Sequence, residues 1–188
     1  EQENWNAEAT GIDESVSGVI VADNGPEILI LSYASICEDA KEWCVTFSDK
    51  SEYKASLKKK DKNSGFAIFA VDKKSLSDAT WSASSVASLG NSNLTEQGDV
   101  IFALGNIFGY AGGSGYGIVS SSNYKEIGRD GEYSVIATDM SSASEGTGIL
   151  FNLDGEVIGM ISSDIWKDRG VRTANAYAIS DLKLVIQL

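Results

Sequence analysis

The chain has 188 residues, 43% of them hydrophobic, enough for one large or two small domains around a real apolar core. Fifteen basic against 27 acidic residues leave a formal net charge of −12, which repels phosphate backbones and anionic membrane surfaces and argues against a nucleic-acid partner. No stretch reaches the roughly 18–20 apolar residues of a membrane-crossing helix. With no histidine and two cysteines outside a Cys-x-x-Cys spacing, neither a metal site nor a cofactor is expected.

The chain opens at Glu1 rather than Met and reads as a mature chain or an excised fragment. Residues 1–14 are acidic and polar, without a sustained period, and read as a lead-in rather than a strand. Ser17-Gly18-Val19-Ile20-Val21 is β-branched, Asp23-Asn24-Gly25-Pro26 is dense in turn formers, and Ile28-Leu29-Ile30-Leu31 is a second apolar run, so this segment is a hairpin. Residues 36–43 fit one helical turn. Cys44-Val45-Thr46-Phe47 is a strand that Ser48-Asp49-Lys50-Ser51 turns into Glu52-Tyr53-Lys54-Ala55-Ser56-Leu57. The spacing of Cys37 and Cys44 leaves a short-loop disulfide and two free thiols equally open. Lys58-Lys59-Lys60, followed by Asp61-Lys62, reads as a solvated hairpin flank without a partner.

Residues 73–95, rich in Ser, Ala, Asn and Lys, bridge two halves of the chain. The Gly-rich stretch 109–117 runs into the strand Gly117-Ile118-Val119-Ser120, whereas a phosphate cradle needs a helix N-terminus there. Asp130-Gly131 joins Tyr124-Lys125-Glu126-Ile127 to Tyr133-Ser134-Val135-Ile136-Ala137 as a further hairpin. Asp154-Gly155 between two apolar runs makes a hairpin of residues 149–160, read as a two-residue reversal with positive φ at both positions. Residues 181–188 form a closing helix.

Several of these segments together resemble one family. Thr138-Asp139, a small-residue loop, and Leu150-Phe151-Asn152-Leu153-Asp154-Gly155-Glu156-Val157-Ile158-Gly159 are similar to the nucleophile loop and following hairpin of the trypsin-like serine proteases, in the HtrA/DegP-like branch. Gly98-Asp99-Val100-Ile101-Phe102-Ala103-Leu104-Gly105-Asn106-Ile107-Phe108-Gly109 resembles that branch's Gly-Asp-x-Val-x-Ala-Ile-Gly-Asn-Pro-Phe-Gly, with Ile107 for the proline. Asn175-Ala176-Tyr177-Ala178-Ile179 resembles its specificity-pocket strand. The resemblance covers about residues 15–188.

It implies an all-β protein of two six-stranded antiparallel Greek-key barrels with a short C-terminal helix. The first barrel falls at 11–80, the crossing at 81–95 and the second barrel at 96–188, together one protease-like domain. It also implies that the triad positions have been replaced. Tyr33 falls where the histidine is expected, Gly65 where the aspartate is, and Gly146 where the serine is. Acyl transfer by serine needs a base that takes the hydroxyl proton near neutral pH, and imidazole, with a pKa of about 6.5, suits that role. A phenol of pKa about 10 does not. With no histidine in the chain, no realignment recovers the triad.

The expectation is therefore a pseudoprotease retained for binding or structure, with a former substrate cleft at Ser144, Glu145, Gly146 and Tyr177. A peptide or protein is the expected cleft ligand. Glu145 would repel a developing negative charge beside an oxyanion hole. Two other readings stand beside it. One is an unconventional serine hydrolase using Ser144, with Lys167 or Lys125 as its base. The other is an interaction module of a larger cell-surface protein. The resemblance to exported proteases also favours the Cys37–Cys44 disulfide, and a place outside the cell or in its envelope, secreted or anchored through a segment absent from this chain.

Overall fold

A computed structural model describes residues 14–38, 40–128 and 131–187. Residues 1–13 of the 1–14 lead-in and Asp130 of the expected Asp130-Gly131 turn lie outside the described residues.

In the first half, β1 (Val19–Asp23) turns through Asn24 and Gly25 into β2 (Glu27–Tyr33). The Asn24 side chain accepts the Glu27 N–H at 2.8 Å, and the Asp23 carboxylate accepts that of Gly25 at 2.9 Å. These are side-chain copies of backbone turn bonds. β3 (Trp43–Thr46), β4 (Glu52–Lys60) and β5 (Phe66–Asp72) follow, and the five strands form one sheet in the order β1-β2-β5-β4-β3. The described residues thus give this half five strands rather than six, with β1 and β3 at its edges.

β2 and β5 are apolar without interruption because both their faces are buried, and the period of two sorts their side chains. Ile28 and Ile30 join Ala67, Phe69 and Val71 in the sheet's own core. Leu29, Leu31 and Tyr33 join Phe66, Ile68 and Ala70 on the other face, where they meet Ile149, Val157 and Met160 of the second half. The same alternation separates the cysteines. On β3, Trp43 and Val45 pack against the sheet core while Cys44 points outward and is exposed; Cys37, in the 3₁₀ turn Ala34–Cys37, packs inward. Both are free thiols, which corrects the disulfide that the resemblance favours.

The crossing carries a short helix, α1 (Asp78–Ser82), capped by Ser77, whose hydroxyl accepts the Thr80 N–H at 3.1 Å. It then touches both halves, through Ala87 N–H to Ile20 O at 2.8 Å and Gly90 N–H to Val157 O at 2.8 Å.

The second half comprises β6 (Val100–Gly105), β7 (Gly113–Ile127), β8 (Glu132–Ser141), β9 (Gly148–Phe151), β10 (Val157–Ile161) and β11 (Thr173–Ala178). They close into a six-stranded barrel in the order β10-β11-β8-β7-β6-β9, as expected. The β9–β10 turn is wider than a two-residue reversal: Gly155 N–H bonds Asn152 O at 3.1 Å, and of the two turn residues only Gly155 has positive φ, at 78°. Asn152 supplies the rest, its Oδ1 accepting the N–H groups of Asp154 at 3.1 Å and Glu156 at 2.9 Å. The C-terminal helix α2 (Ile179–Ile186) seats Ile179, Leu182 and Val185 in the cluster shared by both halves.

Candidate functional site

Between the halves lies a cleft of about 1000 Å³, and Tyr33, Gly65, Ser144, Glu145 and Tyr177 are all on its lining. Five residues singled out from distant parts of the sequence thus meet at one place.

Tyr33 ends β2 and is buried. Its ring packs on Phe66 with centroids 5.3 Å apart. Its hydroxyl donates to Ile161 O, accepts the Gly148 N–H at 3.0 Å and lies 3.0 Å from Gly148 O. Burial pushes its ionisation well above the ordinary tyrosine range, so the phenol is neutral at pH 7 and its hydrogen-bonding capacity is spent on backbone.

Gly65 closes the turn between β4 and β5 with a φ of 77°. Its carbonyl accepts the Ala34 N–H at 2.8 Å. The acid of this turn is Asp61, four residues earlier. Although desolvation pushes its carboxyl up, hydrogen bonds from Ser64 and from the Asn63 N–H hold it below the usual carboxylate range. Asp61 therefore braces the turn through its own neighbours.

Ala143, Ser144, Glu145 and Gly146 form a tight turn closed by Gly146 N–H to Ala143 O at 3.1 Å. Ser144 and Glu145 are exposed at its tip. Gly146 is buried beneath the cleft lining, which corrects its expected place in the cleft. The cause is packing: a Cβ at Gly146 would stand 2.5 Å from Ile107 O and 2.4 Å from the Ser142 hydroxyl. An oxyanion hole of this type uses the N–H of the nucleophile residue and of the residue two before it. At the first of these positions the Gly146 N–H is already committed to Ala143 O.

Neither lysine weighed as a base for Ser144 is buried. Lys167 lies 4.0 Å from Asp164 and Lys125 lies 3.0 Å from Glu132, with side chains 63% and 58% exposed. The burial that turns a lysine into a base is missing at both.

Tyr177 on β11 packs edge-on against Phe66, with centroids 6.0 Å apart, and against Tyr133 at 5.8 Å. Burial, then the nearby Glu126 and Asp164 carboxylates, push its ionisation up to about 12.

Three residues of the cleft lining, Ser15, Asn106 and Thr147, have no role in the sequence reading, and hydrogen bonds through Ser17 and Asn106 tie them together. The Ser17 N–H donates to Thr147 Oγ1 at 3.0 Å, Ser17 Oγ accepts the Asn106 N–H at 2.8 Å, and Asn106 Nδ2 donates to Ser15 O at 3.2 Å. Only Asn106 carries a signal, its place in the Gly105-Asn106-Ile107-Phe108-Gly109 motif. Among the described residues no helix is long and apolar enough to cross a membrane.

A model of the trypsin-like peptidase domain matches residues 16–160. A probable periplasmic serine endoprotease, DegP-like, of Pseudomonas savastanoi pv. phaseolicola is 33% identical over 164 residues, 87% of this chain and 32% of the relative. A protein of the same description from Halomonas elongata is 34% identical over 164 residues, with the same shares of 87% and 32%. The chain thus spans about a third of the length of these curated relatives. Among solved structures, an HtrA-type protease AlgW with decapeptide superposes with a TM-score of 0.70 at 23% identity, over 92% of this chain and 50% of that one, a likeness of fold.

Proposed function

The chain belongs to the trypsin-like peptidase family, with DegP-like serine endoproteases of the HtrA branch among its homologues, and on that premise we propose that it is a pseudoprotease. In this reading the two-part scaffold of a serine endopeptidase is kept, the triad is lost, and the cleft binds a peptide or protein segment. A place in the cell envelope is part of the same proposal, since the relatives are described as periplasmic.

The observation that carries it is the state of Tyr33. The residue in the histidine position holds a neutral phenol, buried and bonded to Gly148 and Ile161. A general base must be able to receive a proton from the nucleophile and return it to the leaving group. This hydroxyl lacks the basicity, and its proton and one of its lone pairs are held by backbone groups. The closed packing around Gly146 supports the same reading from the nucleophile's side. The cleft supports the binding half: it is open, joins both halves and carries side chains from several strands and loops. The structural neighbour AlgW was itself solved with a decapeptide.

The purified chain is expected to give no covalent adduct with a fluorophosphonate probe and no cleavage of an unfolded protein substrate. Labelling that vanishes in Ser144→Ala would overturn the pseudoprotease reading in favour of a serine hydrolase.

A further inference from the structure

We propose that residues 15–17 form a strap that sets the 143–146 turn, with Ser17 as the positioning residue; that this turn walls a binding site rests on the reading of the cleft as a peptide site. The strap is anchored to both halves. Ser17 O accepts a hydrogen bond from the hydroxyl of Ser32 on β2 at 2.8 Å, Val16 packs against the cluster shared by both halves, and Ser15 O accepts one from Asn106 Nδ2 at 3.2 Å. Ser15 and Val16 lie on the cleft lining together with Asn106, Thr147 and the tip of the turn.

Between these anchors the Ser17 hydroxyl fills a niche in the second half. Gly105, the last residue of β6, leaves the room for it: a Cβ there would stand 2.2 Å from Ser17 Oγ. In the niche Ser17 Oγ accepts the Asn106 N–H at 2.8 Å, donates to Thr147 O at 3.2 Å and stands 3.1 Å from Thr147 Oγ1. Thr147 Oγ1 accepts the Ser17 N–H at 3.0 Å in return. Thr147 is buried, and among the described residues its hydroxyl has Ser17 alone as a hydrogen-bond partner.

Asn106 and Thr147 are the residues from which the turn hangs. Thr147 N–H bonds Asn106 O at 3.0 Å, Ala143 N–H bonds Ile107 O at 2.8 Å beside it, and Gly146 N–H closes on Ala143 O at 3.1 Å. Ser17 bonds both Asn106 and Thr147, so the three make a closed ring of hydrogen bonds at the base of the turn. Without Ser17 the 106–147 pair keeps only its backbone bond, and the turn rests on that bond and on Ile107. A ligand lying against Ser15 and Val16 therefore acts on the turn through Ser17, by a continuous chain of hydrogen bonds.

Backbone amide exchange in the full chain, read residue by residue by NMR, tests the strap. In Ser17→Ala the Ala143, Gly146 and Thr147 N–H groups, none of which bonds Ser17, are expected to exchange at least about fivefold faster, the effect of losing about one net hydrogen bond. The Ala34 and Gly90 N–H groups, which bond Gly65 O and Val157 O, should keep their rates. Thr147→Val removes the same contact from its other side and should speed the same three amides, whereas Thr147→Ser, which keeps the hydroxyl, should leave them slow. Ser17→Ala combined with Thr147→Val should add little to either single change, since both break one ring. Unchanged turn amides in Ser17→Ala, faster exchange throughout the chain, equal acceleration in Thr147→Ser and Thr147→Val, or additive effects in the double variant each overturn the inference. These rates are measured without a ligand, so their failure leaves the cleft standing as a peptide site.

Discussion

The Tyr33 hydroxyl takes the Gly148 N–H at 3.0 Å and gives its own proton to Ile161 O, and Gly148 and Ile161 are themselves paired across β9 and β10. A side chain from the first half thereby completes the backbone bonding of the second, at the position that the sequence resemblance matches to the base. Tyr33→Phe leaves a buried N–H and a buried carbonyl without that partner, which costs about 1–3 kcal/mol. The expected outcome is a lower denaturation midpoint at unchanged m-value. An unchanged midpoint would mean that the hydroxyl is not a structural tie.

The same burial sets an alkaline limit. Tyr33 ionises well above the ordinary tyrosine range and Tyr177 near 12, each because the folded environment disfavours phenolate. Below a pH of about 10 the folded and unfolded chains hold these protons equally, and the contribution to stability is constant. Above it the unfolded chain releases protons that the folded chain keeps, so stability falls as pH rises. Denaturation midpoints measured across that range should decline from about pH 10, and less steeply in Tyr33→Phe. Phenolate absorbance should show that, of the seven tyrosines, at least these two titrate late.

Placing histidine, aspartate and serine at the three positions that the resemblance matches to the triad is expected not to give hydrolysis. In Tyr33→His/Gly65→Asp/Gly146→Ser, the new serine has no room: its Cβ falls 2.5 Å from Ile107 O and 2.4 Å from Ser142 Oγ, an overlap that costs about 1–3 kcal/mol to relieve. The new aspartate sits at a φ of 77°, a left-handed conformation that costs a side-chain-bearing residue about 1 kcal/mol. A triple variant that reacts with a fluorophosphonate would show instead that side-chain identity alone separates this chain from an active protease.

Much of this was legible in the sequence, and the limits have physical causes. Turn chemistry and alternating apolar runs act over a few residues, so the hairpins of 19–33 and 148–161 could be read directly. The longer motifs then placed Tyr33, Gly65, Ser144, Glu145 and Tyr177, which share one cleft lining. What could not be read depends on contacts between distant segments. The burial of Gly146 comes from Ile107, whose carbonyl approaches from the β6–β7 loop. The Ser17–Thr147 bonds join residues 130 positions apart. The turn at 152–156 departs from a two-residue reversal because Asn152, outside the Asp-Gly pair, supplies its acceptor.

Helix α2 is held in two ways that mutation separates. Leu182 is fully buried in the cluster where Leu29, Leu31 and Ile68 of the first half meet Val157 and Met160 of the second. Its truncation removes apolar contacts from both halves at once and leaves a cavity that neither strand layer can collapse into. Leu182→Ala is expected to cost about 2–5 kcal/mol, enough to threaten the whole fold. Lys59, by contrast, donates from β4 to Leu184 O at 2.9 Å and Gln187 O at 3.0 Å, which satisfies carbonyls at the helix C-terminus. Lys59→Met keeps the apolar stem and loses only that cap, a change of about 0.3–1 kcal/mol. Hydrogen exchange distinguishes the two: Lys59→Met should speed exchange in the last turn of α2 alone, while Leu182→Ala should speed it in the strands of both halves together. If Leu182→Ala loosened only the helix, the shared cluster would not be what couples the two halves.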